Sequence, residues 1–123
     1  MKKKKILFVG EHPYGTSGNS HMLNAILQQV NPKIHDFSVF AVTNAGIPVL
    51  GKYPCQIIEG GLDRNDIFGA KLLLEVLQEN DVDVLFFVGL DLWAFFTIHN
   101  QLIELKNKKR FIWCSLFPYD SPF

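Results

Sequence analysis

The residues best suited to chemistry sit in one polar stretch, Glu11-His12-Pro13-Tyr14-Gly15-Thr16-Ser17-Gly18-Asn19-Ser20. Glycines let a backbone approach a ligand closely, and hydroxyls and amides offer hydrogen bonds. An apolar run precedes the stretch and an apolar-periodic segment follows it. Strand, Gly-rich loop and helix in that order suit an anionic ligand, because the first helix turn has N–H groups without partners. The stretch has no G-K-[ST] and is not G-x-G-x-x-G, so it is neither a Walker loop nor a dinucleotide fingerprint. It can also serve simply as a capping turn. Two carboxylates, Asp91 and Asp120, each follow an apolar run. There a carboxylate can bond ligand hydroxyls or take a proton from an acceptor. It can equally cap a helix or close a turn. His12 joins the same group, and Trp93 and Tyr119 present flat faces for stacking. His21, His35 and His99 read as exposed or structural. No spacing of His, Cys, Asp and Glu suggests a metal ligand set.

The elements that must position these residues alternate. Residues 5–10 are apolar enough for a strand covered on both faces. Ser20 is the expected cap of a first helix, with Met22, Leu23, Ile26, Leu27 and Val30 at helical spacing and Asn31-Pro32 as its stop. Residues 35–42 alternate and read as a second strand nearer an edge. Residues 54–59 hold a short third strand. Asp63 or Asn65 is expected to cap a second helix that buries Ile67, Leu72, Leu73, Val76 and Leu77 and ends at Asn80-Asp81. Residues 84–88 form a fourth strand, Asp91 caps a third helix reaching Lys106, and residues 111–114 form a fifth strand. Strands alternating with helices imply parallel pairing and right-handed crossovers. The expected fold class is α/β: one three-layer Rossmann-like domain over residues 1–123, with a mostly parallel five-stranded sheet in the order 3-2-1-4-5. Its ligand crevice should lie outside the carboxyl ends of strands one and four. The loops at 11–20, 89–93 and 115–120 should converge there.

Composition narrows the partners. A length of 123 residues suits one core, and 48% hydrophobic with 20% charged residues is a globular balance. Net charge is zero, which argues against nucleic acid as the main partner. Lys2 to Lys5 and Lys106 to Arg110 are the basic clusters. The first is expected to be a solvated start and the second to suit a helix C-terminus. No apolar run is long enough for a transmembrane segment, and the Lys-rich start lacks the pattern of a secretory signal. A cytoplasmic location with Cys55 and Cys114 reduced is therefore expected. No closing helix follows strand five, and the chain holds eleven Phe. Either apolar surface is expected to meet a further domain or a second copy, as in a homodimer, or the Phe residues simply fill the chain's own core.

Resemblances add to this reading. Thr16-Ser17-Gly18-Asn19-Ser20 resembles the phosphate loop of flavodoxins, which would imply an FMN-binding electron carrier. Glu11-His12-Pro13-Tyr14 intervene here, where flavodoxins place the loop directly after the strand. A wider resemblance covers the whole chain, which looks like the N-terminal half of a family 4 glycosyltransferase of the GT-B fold. Pro13-Tyr14-Gly15-Thr16-Ser17-Gly18-Asn19 resembles that family's P-x-G-x-S-G-like loop, and Gly46-Ile47-Pro48-Val49 its G-x-P-V segment. Asp83-Val84-Leu85 and Asp91-Leu92-Trp93 resemble the P-D-V-V strand and D-x-W turn of one subgroup, with Val82 in place of Pro. Pro118-Tyr119-Asp120-Ser121-Pro122 resembles its P-x-D-G-x-P turn, with Ser121 in place of Gly. The resemblance implies that this half holds a sugar or glycan acceptor, through residues such as His12, Tyr14, Thr16, Ser17, Trp93 and Tyr119. Gly15, Gly18 and the backbone of Asn19 would then touch a donor diphosphate, and Asp91 and Asp120 would serve catalysis. The nucleotide-sugar is a co-substrate, bound mainly by a C-terminal domain of the parent chain, and no resident cofactor is implied. A non-catalytic association domain is the remaining alternative. A receiver domain does not fit, since Glu11-His12 and Glu59-Gly60-Gly61 do not supply its acidic cluster.

Overall fold

The computed structural model describes residues 3–11, 18–31, 35–42, 55–60, 69–88 and 98–116. Strand β1 (Lys4–Glu11) lies at the centre of the sheet. It pairs in parallel with β2 (His35–Val42) on one side and β4 (Val84–Val88) on the other. Strand β3 (Gln56–Glu59) adds to β2 and β5 (Ile112–Leu116) to β4, both in parallel, giving the expected order β3-β2-β1-β4-β5. The central place of β1 follows from its side chains. Leu7, Phe8 and Val9 are consecutive, point to alternate faces and are all buried. Only a strand covered on both faces accepts such a run.

The two faces make two cores. On one, Phe8, Val39 and Val88 pack with Leu23 and Leu27 of α1 (Gly18–Gln29). On the other, Leu7, Val9, Phe40, Val42, Leu85 and Phe87 meet two helices. These are α2 (Ala70–Glu79), through Ala70, Leu73 and Leu77, and α3 (His99–Lys109), through Leu102 and Leu105. Helix α1, the sheet and the α2–α3 pair are thus three layers. Each fully buried Leu or Phe contributes about 1.5–3 kcal/mol over an exposed one.

Several boundaries differ from the sequence reading, each for a local reason. Strand β2 keeps its expected limits and lies nearer an edge than β1, but its burial does not alternate throughout: Val39, Phe40, Ala41 and Val42 are all buried, because β1 and β3 flank it and both cores reach it. Ser20 is not the cap of α1, which already begins at Gly18. Neither Asp63 nor Asn65 caps α2; both lie outside the described residues, as does Ile67. Gly69 takes the cap position with φ 73°, a left-handed backbone open to glycine without strain. A Cβ there would stand 2.5 Å from the Gly60 carbonyl oxygen, so a side chain is also sterically excluded. Asp91 is not the cap of α3, whose N-cap is Ile98, and Asp91 lies outside the described residues. Helix α3 runs on through Lys109, because Leu102 and Leu105 place its buried stripe late. Its last turn carries Lys106, Lys108 and Lys109, which suit the negative end of the dipole. His99 opens α3 instead of lying within it, with its ring tilted against Trp113 at 5.9 Å. Phe111 is buried ahead of β5, which continues to Leu116.

Two polar ties hold the lower end of the sheet, where the strands start. Asp83 accepts the Lys5 backbone N–H on its carboxylate at 2.7 Å and donates its own N–H to the Lys5 carbonyl at 2.8 Å. Its carbonyl accepts the Ile112 N–H at 2.9 Å, so one residue links the starts of β1, β4 and β5. Helix α2 has no basic residue in its last turn. Lys109 of α3 supplies one: its Nζ donates to the carbonyls of Leu77 and Gln78, both at 2.7 Å, and lies 3.7 Å from Asp81. These carbonyls are among the last four of α2, which have no partner inside the helix. Hydrogen bonds from a charged donor contribute about 1.5–3 kcal/mol. Replacing Lys109 by Met, which keeps much of the stem, should lower unfolding stability in urea by about 1–3 kcal/mol. Replacing the exposed Lys108 should change it by less than about 0.5 kcal/mol.

Candidate functional site

Strands β1, β4 and β5 run in the same direction, so their last residues, Glu11, Val88 and Leu116, fall on one edge of the sheet. The chain goes from β1 through α1 to β2 on one side, while β4 pairs on the other. This reversal between β1 and β4 is the switch point at which open α/β sheets leave a crevice. The first turn of α1 begins here with Gly18, Asn19 and Ser20 and contains no acidic residue. Its leading N–H groups have no partners within the helix, and no carboxylate in the first turn neutralises the positive dipole end.

Gly10 sets how tightly these parts close. A Cβ at Gly10 would lie 3.1 Å from the Val88 carbonyl oxygen and 3.2 Å from a Leu23 methyl. Helix α1 and the end of β4 therefore both press on the last turn of β1, in space that a side chain would occupy. Leu23 and Val88 are fully buried, so neither can yield cheaply. The sequence reading treated Gly10 only as the end of a strand. Its position between a buried run and a polar loop was the available signal.

Of the expected site residues, Gly18 and Asn19 are placed, both in the first turn of α1. His12, Tyr14, Gly15, Thr16, Ser17, Asp91, Trp93, Tyr119 and Asp120 lie outside the described residues. In sequence they follow the ends of β1, β4 and β5, at Glu11, Val88 and Leu116. Among the described residues no group of three or more His, Cys, Asp and Glu could hold a metal ion. Both cysteines are free. Burial pushes the Cys55 thiol up to about 11, so it is not a thiolate nucleophile near neutral pH. Nor is any described helix long and apolar enough to cross a membrane.

The strand order and alternation define an open, doubly wound α/β domain, with the start of α1 at its switch point. No protein-family model, curated protein or solved structure matches the chain.

Two outcomes follow. Gly10→Val should cost about 1–3 kcal/mol of stability by overpacking, and should shift the amide resonances of Gly18 and Asn19 as α1 is pushed outward. Gly10→Ala should do so more mildly. In a Cys114→Ser background, Cys55 should react with a disulfide reagent at pH 8 about a hundredfold more slowly than an unshifted thiol, in proportion to its thiolate fraction.

Proposed function

We propose that the chain is the N-terminal, acceptor-side half of a GT-B glycosyltransferase, moving a sugar from a nucleotide-sugar donor to an acceptor. The observation that carries the reading is the start of α1. It lies at the switch between β1 and β4, free of acidic residues in its first turn and drawn close by Gly10. In this reading Gly15, Gly18 and the Asn19 backbone approach the donor diphosphate. Negative charge builds on the departing nucleoside diphosphate, and oriented N–H groups stabilise it. Asp91 follows β4 and Asp120 follows β5 in the chain. In this reading they bond sugar hydroxyls or assist the acceptor's proton. Trp93 and Tyr119 stack on sugar faces, and His12, Tyr14, Thr16 and Ser17 line the acceptor side. The C-terminal half of the parent chain holds most of the nucleotide-sugar. A cytoplasmic location belongs to the same reading.

The test is a titration with UDP followed by amide resonances, together with assays of the chain alone and joined to the second half of its parent. The chain alone should transfer no sugar and bind UDP weakly, near about 1 mM, with the shifts centred on Gly18 and Asn19. The joined protein should be active, and Asp91→Asn or Asp120→Asn should lower its kcat about a hundredfold or more. A parent reading frame ending at Phe123 would overturn the proposal. So would uptake of FMN with absorption near about 450 nm, which would make the domain a flavodoxin-like electron carrier.

A further inference from the structure

The outer edge of the sheet, along β5, offers a second surface, whose cationic part lies by the start of the strand and away from the carboxyl end. Strand β5 pairs with β4 from Val84↔Ile112 to Val88↔Leu116 and is the outer strand among the described residues. Its sequence, Ile112-Trp113-Cys114-Ser115-Leu116, contains none of the Pro, Gly or charged residues that blunt sheet edges. Successive side chains take alternate faces. Trp113 packs with Phe87 in the core under α2 and α3, so Ile112, Cys114 and Leu116 face the α1 side. Ile112 is 60% exposed there and Leu116 41%.

On the α3 side the start of β5 borders an open groove of about 550 Å³, lined by Lys106, Asn107, Arg110, Phe111, Ile112 and Trp113. Two of these are cations and none is an acid. Neither cation makes an ion pair among the described residues, whereas Lys109 of the same helix is turned to the end of α2. The indole N–H of Trp113 is buried without an acceptor among the described residues. Arg110 stands in a left-handed backbone with φ 60°, its N–H held by the Lys106 carbonyl at 2.7 Å, which fixes the turn carrying both cations.

We propose that this edge docks an acidic peptide segment of a partner protein, added to β5 as a further strand. The two faces of β5 dictate the pattern of that segment. Side chains on its α1 side meet Ile112, Cys114 and Leu116 and are apolar. Those on its α3 side meet Lys106 and Arg110 and are carboxylates. An extended chain in which acidic and aliphatic residues alternate satisfies both faces, while its backbone pairs with the outward N–H and C=O groups of β5, which bond no other strand among the described residues. Charge complementarity selects this occupant over a second copy: β5 carries no acid, so pairing two copies of it leaves the cations of both unanswered. An anionic lipid surface could meet the cations and the apolar side chains, but not a row of backbone donors and acceptors.

The probe is a fluorescein-labelled peptide of alternating Glu and Val, followed by anisotropy with the full chain. Saturable binding below about 1 mM is expected, weakening as salt rises. The same peptide with Lys for Glu should not bind. Nor should a Glu–Val peptide whose amides on one edge are N-methylated. The double variant Lys106→Gln, Arg110→Gln, with its fold checked by circular dichroism, should bind about tenfold more weakly. The proposal is overturned if the Glu–Val peptide does not saturate, or if the Lys peptide or the N-methylated peptide binds as well. Undiminished binding by the double variant overturns it too. A homodimer that excludes the peptide would assign the edge to a second copy. Binding to phosphatidylserine vesicles without binding to the peptide would assign it to a membrane surface.

Discussion

The pairing of β1 on both of its edges governs this domain. A parallel strand with neighbours on each side and helices on each face has no position open to water over its middle. Leu7, Phe8 and Val9 meet that condition, and the arrangement of the other elements follows from it. Leu7 and Val9 look toward α2 and α3, and Phe8 looks toward α1. The right-handed crossover places α1 on one face on the way to β2, and α2 on the other on the way to β4. Because β1 contributes to both cores, its carboxyl end is anchored by buried side chains on each face. A binding site gains from such a base, since a supporting shell that shifts little keeps hydrogen-bond donors where a ligand needs them.

The two ends of the sheet are built differently. At the lower end, Asp83 links three strands with its carboxylate, its N–H and its carbonyl, and Lys109 closes the last turn of α2. Polar groups of Asp83 and Lys109 there are spent on neighbouring backbone, while His35 Nδ1 at the start of β2 is buried without a partner among the described residues. At the carboxyl end, the first N–H groups of α1 have no partner within the helix, and Gly10 removes the side chain that would keep α1 and β4 apart.

Much of this was legible in the residues. Alternation of apolar strands with helical periods specified the parallel sheet and its order, because few topologies satisfy short connections and right-handed crossovers together. Residues 35–42 were read as the second strand with the observed limits. The helix starts were not legible. Asp63, Asn65 and Asp91 have the side chains that favour caps, yet α2 starts after Gly69 and α3 after Ile98. There, tertiary packing outweighed capping preference: Gly69 presses against Gly60, and Ile98, at the N-cap of α3, is buried in the core that Leu102 and Leu105 also join. The burial of all of residues 39–42 was equally hidden, since alternation in composition says little once both faces are covered. Neither the tie made by Lys109 nor the one made by Asp83 had a local signal, because each joins residues far apart in the chain. Of the candidate site, Gly18 and Asn19 fall in the first turn of α1, and the other expected residues lie outside the described ones.

The reach of Lys109 to the end of α2 has a consequence for how the structure breathes. A helix normally frays from its last turn independently of its neighbours, because only its own hydrogen bonds are lost. Here the carbonyls of Leu77 and Gln78 are held by a side chain from the last turn of α3. Opening either helix end therefore releases the other. The two ends behave as one cooperative unit, and the face of the sheet covered by α2 and α3 loosens as a pair.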